Sequence, residues 1–161
     1  MYDAVERECP DAVIHLGDCY EDARDLMRSY PNLAVYAVLG NNDWGYDAVY
    51  QAVIRPGGVP IYIAHGHREG VSFSSPGRLP THAAEAGCAL ALFGHTHVVY
   101  REKACGVEVL NPGSISLPRR GSASYARLTI ADGRLGDIAV LDTEGQPWDG
   151  KRSRKTRWGW N

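Results

Sequence analysis

Short apolar runs recur along the chain, and each stops at or next to a glycine or asparagine loop. Residues 12–16 (AVIHL) stop at Gly17-Asp18-Cys19, and residues 33–39 (LAVYAVL) at Gly40-Asn41-Asn42-Asp43. Residues 61–64 (IYIA) stop at His65-Gly66-His67, residues 88–93 (CALALF) at Gly94-His95-Thr96-His97, and residues 107–110 (VEVL) at Asn111-Pro112-Gly113-Ser114. Runs this short, rich in β-branched and aromatic residues and closed by glycine, predict buried strands. Between them, residues 1–8 (MYDAVERE), residues 21–29 (EDARDLMRS), closing at Tyr30-Pro31, and residues 81–86 (THAAEA), closing at Gly87, predict helices. Two hairpins are expected, one turning at Pro56-Gly57-Gly58 and one at Asp132-Gly133. The first half is therefore α/β and the second mostly β, giving one α/β domain with a partly mixed or antiparallel sheet.

In open α/β sheets, ligands bind beyond the carboxyl ends of the strands. The loops at those ends hold Asp18, Asn41, His65, His67, His95 and His97. Taken singly, Gly17-Asp18 and Gly40-Asn41-Asn42-Asp43 read as turns, and His-Gly-His reads as surface. Taken together they supply carboxylate, amide oxygen and imidazole, a donor set suited to Mn, Fe, Zn or Ni better than to Ca or Mg alone. A glycine beside each ligand lets the backbone turn sharply near an ion or phosphate. His15, inside the first strand, reads as a hydrogen-bonded histidine behind the site, and His82, in the last helix, as solvated. Arg119 and Arg120 follow a proline, where they either face a phosphate or occupy a solvated turn.

Composition narrows the class without naming the chemistry. The 161 residues are 44% hydrophobic and 22% charged, as in a single-core globular domain. No apolar run approaches the ~18 residues of a membrane span and no signal-peptide stretch opens the chain, so a cytoplasmic, membrane-free protein is expected. The four cysteines form no CxxC pair and are expected to be free thiols. Net charge is −2, but Lys151, Arg152, Arg154, Lys155 and Arg157 place five positive charges in the last eleven residues, leaving −7 on positions 1–150. The expected division is a domain over 1–146 and a basic, flexible tail over 147–161, with nucleic-acid contact conceivable only through that tail.

In order, Gly17-Asp18, Gly40-Asn41-Asn42-Asp43, His65-Gly66-His67, Gly94-His95-Thr96-His97 and Asn111-Pro112-Gly113-Ser114 resemble the motifs of the calcineurin-like metallophosphoesterases. The likeness is greatest to the small bacterial and archaeal phosphodiesterase subfamily and covers about residues 1–145. It implies a four-layer αββα sandwich with two metals in one cleft. Asp18 would bridge both ions, Asn41, His65 and His95 would complete the second position, and His97 would belong to the first. The resemblance favours His65 over His67 because the family ligand precedes the glycine. Asn41, Asp43 and His65 are the expected catalytic residues, with Asp43 orienting its neighbours and Asn41 also orienting phosphate. Divalent ions are the implied cofactor, Mn2+ first, with Ni2+, Fe2+, Zn2+ or Mg2+ as alternatives.

One departure from the family pattern stands out. The usual opening strand that ends in Asp-x-His is absent, which makes the expected fold N-terminally truncated and leaves the first metal only Asp18 and His97. The expectation is that the true start lies upstream, with a genuine one-metal variant as the alternative. Asn42 stands where many larger members have a histidine that assists the leaving group, so hydrolysis of a small-molecule phosphodiester by a metal-activated water is expected over monoester hydrolysis. The competing expectation is a non-catalytic interaction module with an altered metal site, like the retromer scaffold subunit.

Overall fold

Period-two alternation in three neighbouring strands builds the core from both faces of one sheet. In β4 (Ile61–Ala64) and β5 (Leu90–Phe93) every residue is buried, so side chains of both parities must be apolar. Ile61, Ile63, Leu90 and Leu92 join one apolar cluster, while Tyr62, Ala64, Ala91 and Phe93 join another on the opposite face. β7 (Val107–Pro112) continues the pattern, with Val107 and Val109 on the second face and Leu110 on the first. β3 (Gln51–Ile54) and β6 (Val99–Ala104) complete a five-stranded mixed sheet of order β3-β4-β5-β7-β6. β4, β5 and β7 run parallel, and the two edge strands pair antiparallel.

A second β layer covers the first face. It consists of the parallel pair β1 (Ala12–His15) and β2 (Ala34–Ala37) and the antiparallel pair β8 (Ser124–Ala131) and β9 (Arg134–Asp142). Ile14, Leu16, Tyr36, Leu128, Ile130 and Ile138 pack from this layer onto Ile61, Ile63, Leu90 and Leu92. The two pairs share no ladder, so this layer is two separate two-stranded sheets. Helices occupy the outer sides. α3 (Leu79–Glu85) seats Leu79 and Ala83 against Tyr62, Phe93 and Val109. α2 (Tyr20–Ser29) packs on β2 and buries Ala23 and Leu26. α1 (Tyr2–Glu8) is pinned to β8 where Tyr125 Oη and Arg127 Nη1 donate to the Glu8 carboxylate at 2.6 and 3.1 Å. The order is helix, sheet, sheet, helix, the expected four-layer α/β sandwich.

The computed structural model describes residues 1–151. Residues 152–161 of the expected tail, with all of its basic run but Lys151, lie outside them, but Pro147 and Trp148 do not hang free. Pro147 bridges Leu141, Trp148 N–H donates to the Val140 carbonyl, and the Trp148 indole N–H donates to the Ser122 carbonyl at 3.2 Å. β6 was not expected, because Arg101, Glu102 and Lys103 give it no apolar run. Such charge is usual on an exposed sheet edge. His82 is half-buried and its Nδ1 has no partner, rather than solvated. Among the described residues no helix is long and apolar enough to cross a membrane. Cys9, Cys19, Cys88 and Cys105 are free thiols.

Candidate metal centre

Two parallel registers, His15 beside Ala37 and Ala64 beside Phe93, end four strands with their carboxyl ends facing the same way. The loops after β1, β2, β4 and β5 carry Asp18, Asn41, His65, and the pair His95 and His97. Two glycines let the first two loops meet. A Cβ on Gly17, whose φ is +92°, would lie 2.7 Å from Gly40 N and 2.8 Å from His65 Nδ1, and a Cβ on Gly40 would collide with the Asp18 carboxylate. Asp18, His95 and His97 themselves hold left-handed backbone, with φ of 58°, 62° and 56°. Such conformations cost non-glycine residues about 1–3 kcal/mol and gather at functional sites.

His65 sets the chemistry of the cluster. Its ring is 1% exposed, and Nδ1 lies 2.6 Å from the Leu16 carbonyl. A carbonyl only accepts, so Nδ1 carries the hydrogen. Burial, opposed by the Leu16 bond and the Asp18 charge, holds the His65 pKa below the ordinary imidazole range, and burial does the same for His95. Neutral His65 therefore presents a bare Nε2, 3.3 Å from Asp18 Oδ2 and 3.2 Å from Asn41 Oδ1. Asn41 Nδ2 donates to Asn42 Oδ1, which turns the amide oxygen toward the histidines, and His95 Nδ1 lies 2.9 Å from that oxygen. Two oxygen acceptors thus face a bare ring nitrogen. The repulsion calls for a cation, and ligand atoms of Asp18, His65 and His95 all lie within 4.8 Å of one another. The donor set fits a divalent transition ion.

His97 stands apart from that cluster. Its Nδ1 donates to the Leu117 carbonyl at 2.8 Å, which orients the ring as the partners of ligating histidines usually do. His67 is half-buried beside the centre, its ring 5.3 Å from that of His65 and 6.2 Å from that of His95, with Nδ1 unpartnered.

Asp43 does not point at the cluster. Its carboxylate accepts the amides of Gly40 and Asp18 at 2.7 and 2.9 Å through Oδ2, and those of Cys19 and Tyr20 at 2.9 and 2.7 Å through Oδ1. Burial works to raise its pKa, but the four amides outweigh burial and hold it below the ordinary carboxylate value. One side chain thereby caps α2 and locks the Asp18 loop to the Asn41 loop, a positioning role. Asn111 does the equivalent for the histidine loop. Fully buried, it donates to the Gly94 carbonyl at 2.6 Å and to Thr96 Oγ1 at 3.1 Å. The sequence marks this segment only as a loop and a motif, and the fold reveals that its side chain does the holding. His15 Nδ1 accepts the Gly17 amide at 3.3 Å just behind the site.

Residues 1–133 match the calcineurin-like phosphoesterase superfamily domain. The chain is 32% identical over 148 residues to a probable metallophosphoesterase, YsnB, of Bacillus subtilis, covering 91% of this chain and 83% of the relative. Among solved structures it is similar to a conserved protein of Streptococcus pneumoniae described as a predicted phosphoesterase. The TM-score is 0.73 at 29% identity, over 92% of this chain and 84% of the other. The fold alone is shared with Vps29 of Entamoeba histolytica complexed with zinc, with a TM-score of 0.61 at 21% identity over 83% and 82% of the two chains.

Proposed function

The chain belongs to the calcineurin-like phosphoesterase superfamily, and from that premise we propose that it is a manganese-dependent phosphodiesterase acting on small-molecule phosphate esters. The observation that carries this reading is the meeting of Asp18 Oδ2 and Asn41 Oδ1 at the bare Nε2 of His65, with His95 alongside. A divalent ion held there supplies Lewis-acid polarisation of a phosphoryl oxygen and a water acidified toward neutrality. Asp18, Asn41, His65 and His95 would hold that ion, and His97 would serve a second one. Asp43 and Leu16 keep the ligands aimed, through the loop amides and the His65 tautomer.

The preference for diesters rests on Asn42. Its amide is exposed beside the centre, and its backbone N–H donates to Asp18 Oδ1 at 3.0 Å. An amide does not protonate a departing oxygen, so substrates whose leaving groups depart unprotonated are favoured. The test is hydrolysis of bis-p-nitrophenyl phosphate against p-nitrophenyl phosphate with manganese, using Asn41→Ala and His95→Ala as controls. The diester should be cleaved faster, and each control should lose at least about 100-fold in rate, the low end of what a positioned catalytic group contributes. Faster monoester cleavage would overturn the diester assignment. A folded, metal-binding chain that cleaves neither substrate would favour a non-catalytic interaction module.

A further inference from the structure

Against the metal centre lies a pocket of about 240 Å³ lined by Val71, Ser72, Phe73, His95, Thr96 and Arg119. It is smaller than the ~300 Å³ at which sites begin to enclose whole drug-sized ligands, so it suits one substituent of a substrate. His95 is common to the pocket and the centre, so a group seated here lies beside whatever the centre holds.

The walls are built rather than incidental. Phe73 rides on a tight turn closed by the Ser72 amide donating to the Ser75 carbonyl at 2.8 Å, with the Ser74 amide on Ser72 Oγ at 3.4 Å. The base of that loop is tied to the His65 loop, because the Val71 amide donates to the Gly66 carbonyl. Despite this anchoring the Phe73 ring is 46% exposed. Opposite it, the Arg119 amide donates to the His97 carbonyl at 3.0 Å, which fixes the arginine loop to the histidine loop. The guanidinium carbons of Arg119 and Arg120 stand 5.9 and 5.5 Å from the centre of the Phe73 ring. Among the described residues neither arginine forms an ion pair with a carboxylate.

A half-exposed aromatic ring beside two guanidinium groups without carboxylate partners among the described residues is a stacking platform with an anion-attracting rim. We propose that this pocket receives a planar aromatic substituent of the phosphate ester, a nucleobase or aryl ring, stacked on Phe73 while Arg119 faces the anionic group. The assignment rests on the phosphoesterase reading of the adjoining centre and names the class of substrate that centre serves.

Calorimetric titration of the full chain with AMP and with ribose 5-phosphate, with and without manganese, isolates the ring, because the two ligands share the phosphate and the sugar. AMP should bind about 10-fold tighter, within the range that one stacked base contributes. Phe73→Ala should reduce AMP to the affinity of ribose 5-phosphate, Phe73→Tyr should keep the preference, and Arg119→Gln should weaken both ligands. Equal affinity for the two ligands, undetectable AMP binding, or a preference that survives Phe73→Ala would each overturn the proposal. The two readings fail separately. A chain that cleaves bis-p-nitrophenyl phosphate without preferring AMP loses the ring pocket alone, and one that prefers AMP through Phe73 but cleaves no ester loses the esterase reading alone.

Discussion

The two β layers both contribute to the candidate metal centre and are built on opposite terms. The five-stranded sheet delivers His65 and His95 from β4 and β5, strands buried on both faces and hydrogen-bonded on both edges. The facing layer delivers Asp18 and Asn41 from β1 and β2, a two-stranded pair with no fully buried residue. A two-stranded sheet is marginal by itself. The histidines are therefore positioned by the sheet they leave, whereas Asp18 and Asn41 depend on loop contacts, chiefly the four amides gathered by Asp43 and the close approach at Gly17 and Gly40. A site placed across such a seam combines one rigid half with one that is held from outside its own strands.

The contrast has measurable consequences, the largest in stability. Leu110→Ala, at a fully buried position of the five-stranded sheet, should cost about 2–5 kcal/mol in urea denaturation, and Ile14→Ala, at a half-buried position in β1, about 1 kcal/mol. Equal costs would erase the distinction between the layers. Next comes the external support. Asp43→Ala should lower manganese affinity about 10- to 100-fold by calorimetry, as expected for a side chain that orients ligands without touching the ion. Asn111→Ala should lower it less, because β5 is already held on both sides. The reverse order would place the weak half of the site in the other layer.

The smallest effect concerns the clasp between α1 and β8. The Glu8 pKa is lowered, first by the Tyr125 hydrogen bond, against burial, and then by Arg127. A carboxyl depressed in the folded state adds stability above its unfolded value of about 4.3 and loses it as pH falls through the lowered folded value. Glu8→Gln should therefore cost about 1 kcal/mol near neutrality, a modest figure because Arg127 is half exposed, and the variant should converge with the parent in acid. Curves that stay parallel to low pH would remove the clasp from the account of what holds this layer.

Legibility in the sequence followed burial. β1, β2, β4, β5 and β7 are apolar runs ending in glycine or asparagine loops, and those loops present Asp18, Asn41, His65 and His95. β6 left no such mark, because an edge strand carrying Arg101, Glu102 and Lys103 satisfies its pairing without burying its side chains. The anchors of Trp148 are the backbone of Ser122 and Val140, and no side-chain pattern encodes those. The same reason hid the work of the Asn111 side chain and the partners of Asp43, which are mostly main-chain groups brought near by the fold. The meeting of Phe73 with Arg119 and Arg120 joins two loops distant along the chain, and neither loop has a motif of its own.

The left-handed backbone at Asp18, His95 and His97 has an evolutionary consequence. These residues occupy conformations that glycine or asparagine would adopt more cheaply, so each is held against a standing thermodynamic incentive to change. In a lineage that ceased to need the chemistry, these are the positions where loss of activity and gain of robustness coincide. Substitutions such as His97→Gly and His95→Asn would then be early marks of a copy converted to other uses. Retention of the costlier side chains at such positions is the signature to seek in related chains still under selection for catalysis.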